Sequence, residues 1–145
     1  MKRTLKSIEI SKSVEDTISI GQRLARKLKA GDVVALIGDL GAGKTVFTKG
    51  IAKGLGVKSA RYVNSPTFVL IKEYKAKLPL YHFDLYRLDS SGILDIESYE
   101  EYFYGDGVTV IEWADKILGV LPNRYIEAKI SVAGDNKRKI EINSR

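Results

Sequence analysis

The chain has 145 residues, with 24 Lys and Arg against 18 Asp and Glu, a formal charge of +6. That length suits one domain able to bury a core without staples. The absence of cysteine excludes disulfide frameworks, thiolate metal sites and cysteine nucleophiles, and a single histidine, His82, excludes a multi-histidine metal centre.

Residues Ser7–Ile10 read as a short strand. Ser13 is placed to cap a helix whose first turn holds Glu15 and Asp16, where carboxylates suit the helix dipole. Val14, Ile18, Leu24 and Leu28 recur at helical spacing, and Gly31 is positioned as the stop. Val33–Ile37 is a continuous apolar run, the pattern of a strand buried on both faces. A glycine-rich turn follows, then a helix from Lys44 to about Leu55 that stops at Gly56. Phe68–Tyr74 and Leu80–Leu85 read as strands, Ile93–Tyr102 as an acidic helix, and Val108–Ile111 as a second buried strand ending at Glu112-Trp113. Tyr125–Val132 and Arg138–Ile142 form a terminal hairpin around Gly134-Asp135-Asn136. The order implies an α/β layer fold with a mixed sheet, and residues 1–145 form a single domain. No apolar run approaches the length of a membrane span, and the basic start lacks a signal-peptide core, so the expected setting is cytoplasmic.

Gly38-Asp39-Leu40-Gly41-Ala42-Gly43-Lys44-Thr45 matches G-x-x-x-x-G-K-[ST] in full. The chemistry explains the spacing. Glycines let backbone N–H groups turn toward phosphate oxygens, and the following helix contributes its positive end. Lys44 is expected to meet the β- and γ-phosphates, and the Thr45 hydroxyl to ligate Mg²⁺. Such a loop also needs a carboxylate at the C-terminal end of a neighbouring strand. Asp84 and Glu112 both qualify, and spacing alone leaves open which ligates the metal and which orients water. Alternation puts His82, Asp84 and Tyr86 on one face of their strand. His82 itself reads as a structural strand residue, and Trp113 as core or as a residue at the nucleotide's edge. Pro66 forces Ser65 to be extended, so Ser65-Pro66-Thr67 reads first as a turn before a strand. Asn136-Lys137-Arg138-Lys139 starts like a guanine-reading motif, but Lys139 replaces its carboxylate, which favours adenine.

Four blocks occur in order: Gly-Asp-Leu-Gly-Ala-Gly-Lys-Thr at 38–45, Ser-Pro-Thr-Phe at 65–68, His-Phe-Asp-Leu-Tyr-Arg at 82–87 and Ile-Glu-Trp at 111–113. Together they resemble the bacterial TsaE family, small ATPases of tRNA threonylcarbamoyladenosine biosynthesis, over nearly the whole chain. The resemblance implies a P-loop NTPase-like three-layer α/β fold with a mixed, largely parallel central sheet and a C-terminal β-hairpin. It implies a monomer that binds ATP or ADP with Mg²⁺ and acts with TsaB and TsaD on the adenosine at tRNA position 37, touching tRNA indirectly. It assigns Thr45 and Glu112 to Mg²⁺, Asp84 and Thr67 to hydrolysis beside Lys44, and Asp39, Leu40, Gly41, Ala42 and Gly43 to the phosphates. Trp113 matches a position tied to function, Ser13–Thr17 lies where adenine contacts come from, and Arg138 is a candidate nucleotide contact. Val46 departs from the pattern, since many members carry a second threonine there. A metabolite kinase is the competing reading of the same loop, but residues 84–106 carry a single arginine among seven acids and so lack the cluster that clamps phosphates. A third reading has ATP bound only as structural glue.

Overall fold

The computed structural model describes residues 4–39, 41–58, 60, 63, 71–86 and 100–145. Strand β1 (Lys6–Ser11) leads into helix α1 (Val14–Ala25). Ser13 is extended and its hydroxyl accepts the Asp16 N–H at 3.0 Å, while Asp16 accepts the Lys12 N–H at 2.9 Å, so two donors of the first turn region are satisfied reciprocally. α1 buries Thr17, Ile20, Gly21, Leu24 and Ala25. Two expectations fail here. Val14 opens the helix on its solvent side and is 57% exposed. The helix also ends at Ala25, well before Gly31. The Asp32 carboxylate takes the Lys29 N–H at 2.7 Å, a donor that a longer helix would need for itself, and the Lys27 and Leu28 amides tighten onto Leu24 and Ala25.

Strand β2 (Val33–Ile37) is followed by α2 (Lys44–Leu55), which Gly56 closes in the left-handed conformation with its N–H on the Ala52 and Lys53 carbonyls. Strands β3 (Ile71–Tyr74), β4 (Leu80–Asp84) and β5 (Val108–Glu112) follow. Strands β6 (Ile126–Gly134) and β7 (Lys137–Ser144) form the expected hairpin, turned by Asn136 at φ 58°. The acidic helix expected over 93–102 lies mostly outside the described residues. Where it is described, Glu100–Tyr104 is a 3₁₀ turn, because the Tyr102 carbonyl is taken by the Gly105 N–H and the Thr109 hydroxyl. A second 3₁₀ turn spans Ala114–Ile117.

The seven strands among the described residues form one sheet in the order β1-β7-β6-β2-β5-β4-β3. Its centre, β6-β2-β5-β4, is parallel, and antiparallel strands finish both sides. Both helices cover one face, over Val34, Leu36, Val110, Ala128 and Ile130. The other face packs Val33, Ala35, Phe83 and Ile111 against Phe103, Ala114 and Ile117 of the two 3₁₀ turns. The sheet is therefore the middle of three layers. The helices meet backbone to backbone: a Cβ on Gly50 would strike the Ile18 carbonyl, and one on Gly21 would lie 2.5 Å from the Phe47 carbonyl oxygen. No described helix is long and apolar enough to cross a membrane.

Candidate functional site

The parallel register builds the site. β2 runs into the glycine loop, and its neighbours β5 and β4 end beside it. Leu36 pairs with Glu112, and Glu112 pairs with Asp84, so both carboxylates stand at one end of adjacent strands on the helix face. Gly41 and Gly43 hold φ of 79° and 107°, values that L side chains rarely adopt, and a Cβ on either would meet only open space. Gly43 caps α2 without a side chain, and no acid occupies the first turn. Among the described residues no side chain caps the start of α2, an arrangement suited to an anion. Leu40 lies outside the described residues.

Lys44 is buried, and its Nζ donates to the Gly38 carbonyl at 2.5 Å and the Asp39 carbonyl at 2.9 Å. It also sits 3.9 Å from the centre of the Trp113 ring. Burial pushes the Lys44 ammonium below its usual range, while Glu112 and then Asp84 pull it back up. Trp113 is half-buried and held at φ 61°, a conformation uncommon for a bulky residue, and its side chain meets both the lysine and the core on the sheet's second face. Tyr86 packs on the ring's other surroundings at 5.2 Å between centroids, and the Lys116 Nζ donates to the Tyr86 carbonyl at 2.6 Å.

The Thr45 hydroxyl donates to Glu112, with Oγ1 at 3.0 Å from Oε1 and 3.2 Å from Oε2. Glu112 is 3% exposed, and its Oε2 lies 2.5 Å from Nε2 of the fully buried His82. Asp84, also buried, accepts the Tyr86 N–H at 2.9 Å. Burial raises the Asp84 carboxyl above the ordinary carboxylate range and the neighbouring Glu112 charge raises it further, against the Tyr86 N–H, His82 and Lys44. Among the described residues no three His, Cys, Asp or Glu side chains converge as a metal cage. Thr45 and Glu112 instead offer two oxygen donors at the mouth of an anion cradle, which is how Mg²⁺ is commonly bound, with phosphate oxygens and water completing its octahedron.

Arg138 comes from β7 and grips the loop from outside, its Nε donating to the Ala42 carbonyl at 3.0 Å and its Nη2 to the Gly41 carbonyl at 3.4 Å. Beside it opens a pocket of about 370 Å³ lined by Ser13, Thr17, Gly41, Val46, Asn136 and Arg138. A larger cavity, about 720 Å³ and lined by Lys29, Asp32, Arg124 and Arg145 among others, lies at the opposite end of the strands and shares nothing with these groups.

The structure thus brings Asp39, Gly41, Ala42, Gly43, Lys44, Thr45, Asp84, Glu112 and Arg138 together around one loop. Thr67, the rest of Ser65-Pro66-Thr67-Phe68, and Arg87 lie outside the described residues. Two features were missed from sequence: the contact of His82 with Glu112 and the stacking of Trp113 on Lys44. The first was within reach, since alternation already put His82 on the face of Asp84; only the pairing of β4 with β5 was lacking.

The family description "Threonylcarbamoyl adenosine biosynthesis protein TsaE" matches residues 11–140. The TsaE protein of Bacillus subtilis is 51% identical over 128 residues, 87% of this chain and 78% of that protein. The TsaE proteins of Treponema pallidum and Aquifex aeolicus are 42% and 40% identical, covering 92% of this chain and 97% and 92% of theirs. The crystal structure of Bacillus subtilis YdiB superposes with a TM-score of 0.78 at 40% identity, covering 99% of this chain and 88% of that one.

Proposed function

This chain belongs to the TsaE family of tRNA threonylcarbamoyladenosine biosynthesis, and from that premise we propose that it is a Mg²⁺-dependent ATPase of the pathway, working in the cytoplasm with TsaB and TsaD and touching tRNA only through them. One observation carries the reading: an uncapped helix N-terminus, a P-loop lysine and a threonine–glutamate pair meet at the ends of adjacent parallel strands.

The loop amides and the first turn of α2 hold the β- and γ-phosphates. Lys44 exchanges its two loop carbonyls, both weak neutral partners, for phosphate oxygens. Thr45 and Glu112 would hold Mg²⁺, which would supply positive charge against the phosphates. Asp84, beside Glu112 but not bonded to Thr45, orients the attacking water; its raised proton affinity suits a group that accepts a proton late in the reaction. Thr67 would offer its hydroxyl to Mg²⁺ or to the γ-phosphate. Arg138 fixes the loop's carbonyls outward so that its amides face inward, and the pocket at Ser13 and Thr17 takes adenine. Hydrolysis serves a conformational or turnover step of the complex.

Phosphate release by the wild type, Asp84→Ala and Glu112→Ala proteins, each with and without TsaB and TsaD, tests this. Slow release alone, acceleration by the partners and loss in both variants are expected. Equal turnover with and without partners, or full turnover in both variants, refutes it.

A further inference from the structure

We infer that His82 is a positioning residue: its Nε2–H pins Oε2 of Glu112 and thereby aims that carboxylate at Thr45 and the loop mouth. The inference rests on the reading of Glu112 as a metal-holding group and adds a residue to it.

Register provides the contact. His82 pairs with Val110 across β4 and β5, so Glu112, two residues further along the same face, is its diagonal neighbour. The ring is fully buried, Nε2 lies 2.5 Å from Oε2, and Nδ1 is buried with no hydrogen-bond partner among the described residues. That asymmetry fixes the proton. On Nδ1 it would be an unpaired buried donor, and a bare Nε2 would press its lone pair against a carboxylate oxygen at contact distance. On Nε2 it makes a charge-assisted bond, and Nδ1 is left as a bare acceptor, the less costly orphan.

The consequence is directional. Glu112 hangs at a strand end, where its side-chain torsions have freedom. Among the described residues two donors restrain it: Thr45, which must also serve the metal, and His82, which is left to serve the carboxylate alone. With His82 on Oε2, Oε1 keeps its lone pairs toward Thr45. Such outer partners of metal-holding carboxylates typically set metal affinity by tenfold or more.

The test compares ATP affinity by calorimetry in Mg²⁺ and in EDTA for wild type, His82→Gln, His82→Asn and His82→Leu, with melting temperatures recorded for each. Gln places a donor near Nε2; Asn places one near Nδ1; Leu has none. The gain in affinity from Mg²⁺ is expected to persist within about twofold in the Gln protein and to fall about tenfold in the Asn and Leu proteins, with affinity in EDTA unchanged. A Mg²⁺ gain equal to wild type in all three variants overturns the inference, as does an equal loss in both media, which is the mark of a merely structural histidine. A wild type whose ATP binding ignores Mg²⁺ overturns the reading of the site itself. The wild-type protein gives an independent readout, because His82 is its only histidine. Its side-chain ¹⁵N spectrum should show the proton on Nε2 and a shift of that resonance when Mg²⁺ joins bound ATP; a proton on Nδ1 overturns the inference.

Discussion

Replacing Thr45 with valine keeps the shape of the residue and removes one hydroxyl. That hydroxyl is one of two groups, among the described residues, within hydrogen-bond distance of the Glu112 carboxylate, which is 3% exposed. A hydrogen bond to a charged group contributes about 1.5–3 kcal/mol, and a buried acceptor left short of donors costs in the same range. Thr45 is only half-buried, so water can partly replace it and the loss falls near the lower limit, about 1.5 kcal/mol. For a domain of this size that lowers the melting temperature by roughly 3–6 °C. Glu112→Gln makes the bond neutral, so the same Thr45→Val change should then cost about 0.5–1 kcal/mol, leaving a coupling of up to about 1 kcal/mol in the double-mutant cycle. Calorimetric or urea unfolding of the four proteins, without nucleotide, measures it. A Thr45→Val protein that melts with the wild type, or that loses the same amount in both backgrounds, would refute the claim that the hydroxyl supports this carboxylate.

Asp84→Asn should stabilise the nucleotide-free protein while abolishing stimulated hydrolysis. The Asp84 carboxyl is raised in the fold, so its ionisation opposes folding: the wild type is unaffected below the ordinary value of 3.8 and loses ground as pH rises through the raised value. The advantage of the Asn protein should therefore be absent at pH 3.5 and grow toward neutrality in urea titrations; a constant offset would contradict it. Gly50→Ala should destabilise by about 1–2 kcal/mol, because overpacking against the Ile18 backbone outweighs the roughly 1 kcal/mol by which alanine favours a helix. Denaturant midpoints decide this, and a gain in stability would mean the helices are free to separate. Trp113 is the sole tryptophan and lies 3.9 Å from the Lys44 ammonium, so its emission should change when ATP draws the lysine away. In a Lys44→Met protein the same titration should leave the emission flat.

Local signals served well where one interaction decides the outcome. Ser13 caps α1 as its neighbours require, Gly56 ends α2, and the Val33–Ile37 and Val108–Glu112 runs are buried central strands. They failed where two local signals compete. The end of α1 is set by Asp32 capturing an amide, not by the glycine that follows the apolar pattern. The loop motif and both carboxylates were legible because phosphate chemistry restricts residue type and spacing. The roles of His82 and Trp113 were not, since each arises from a non-local fact: the β4–β5 register for one, and a left-handed backbone turn at a strand exit for the other.

The pairing of Asp84 with Glu112 has a consequence for how this protein can vary. Successive residues of a strand face opposite sides, so moving β4 by one position would carry His82 and Asp84 into the opposite core and present Tyr81 and Phe83 to the loop. Exchanging either carboxylate alters the contacts of that side chain alone; adding or deleting a single residue within Leu80–Asp84 or Val108–Glu112 displaces every residue beyond it. The antiparallel partner β3, which pairs Glu73 with Tyr81 and Ile71 with Phe83, locks β4 from its outer side. That short edge strand carries no group of the site, yet it acts as the ruler against which the site is measured. Changes of length should therefore be rejected within these strands, as they should within the glycine loop at 38–45, and tolerated better at the turn between β6 and β7.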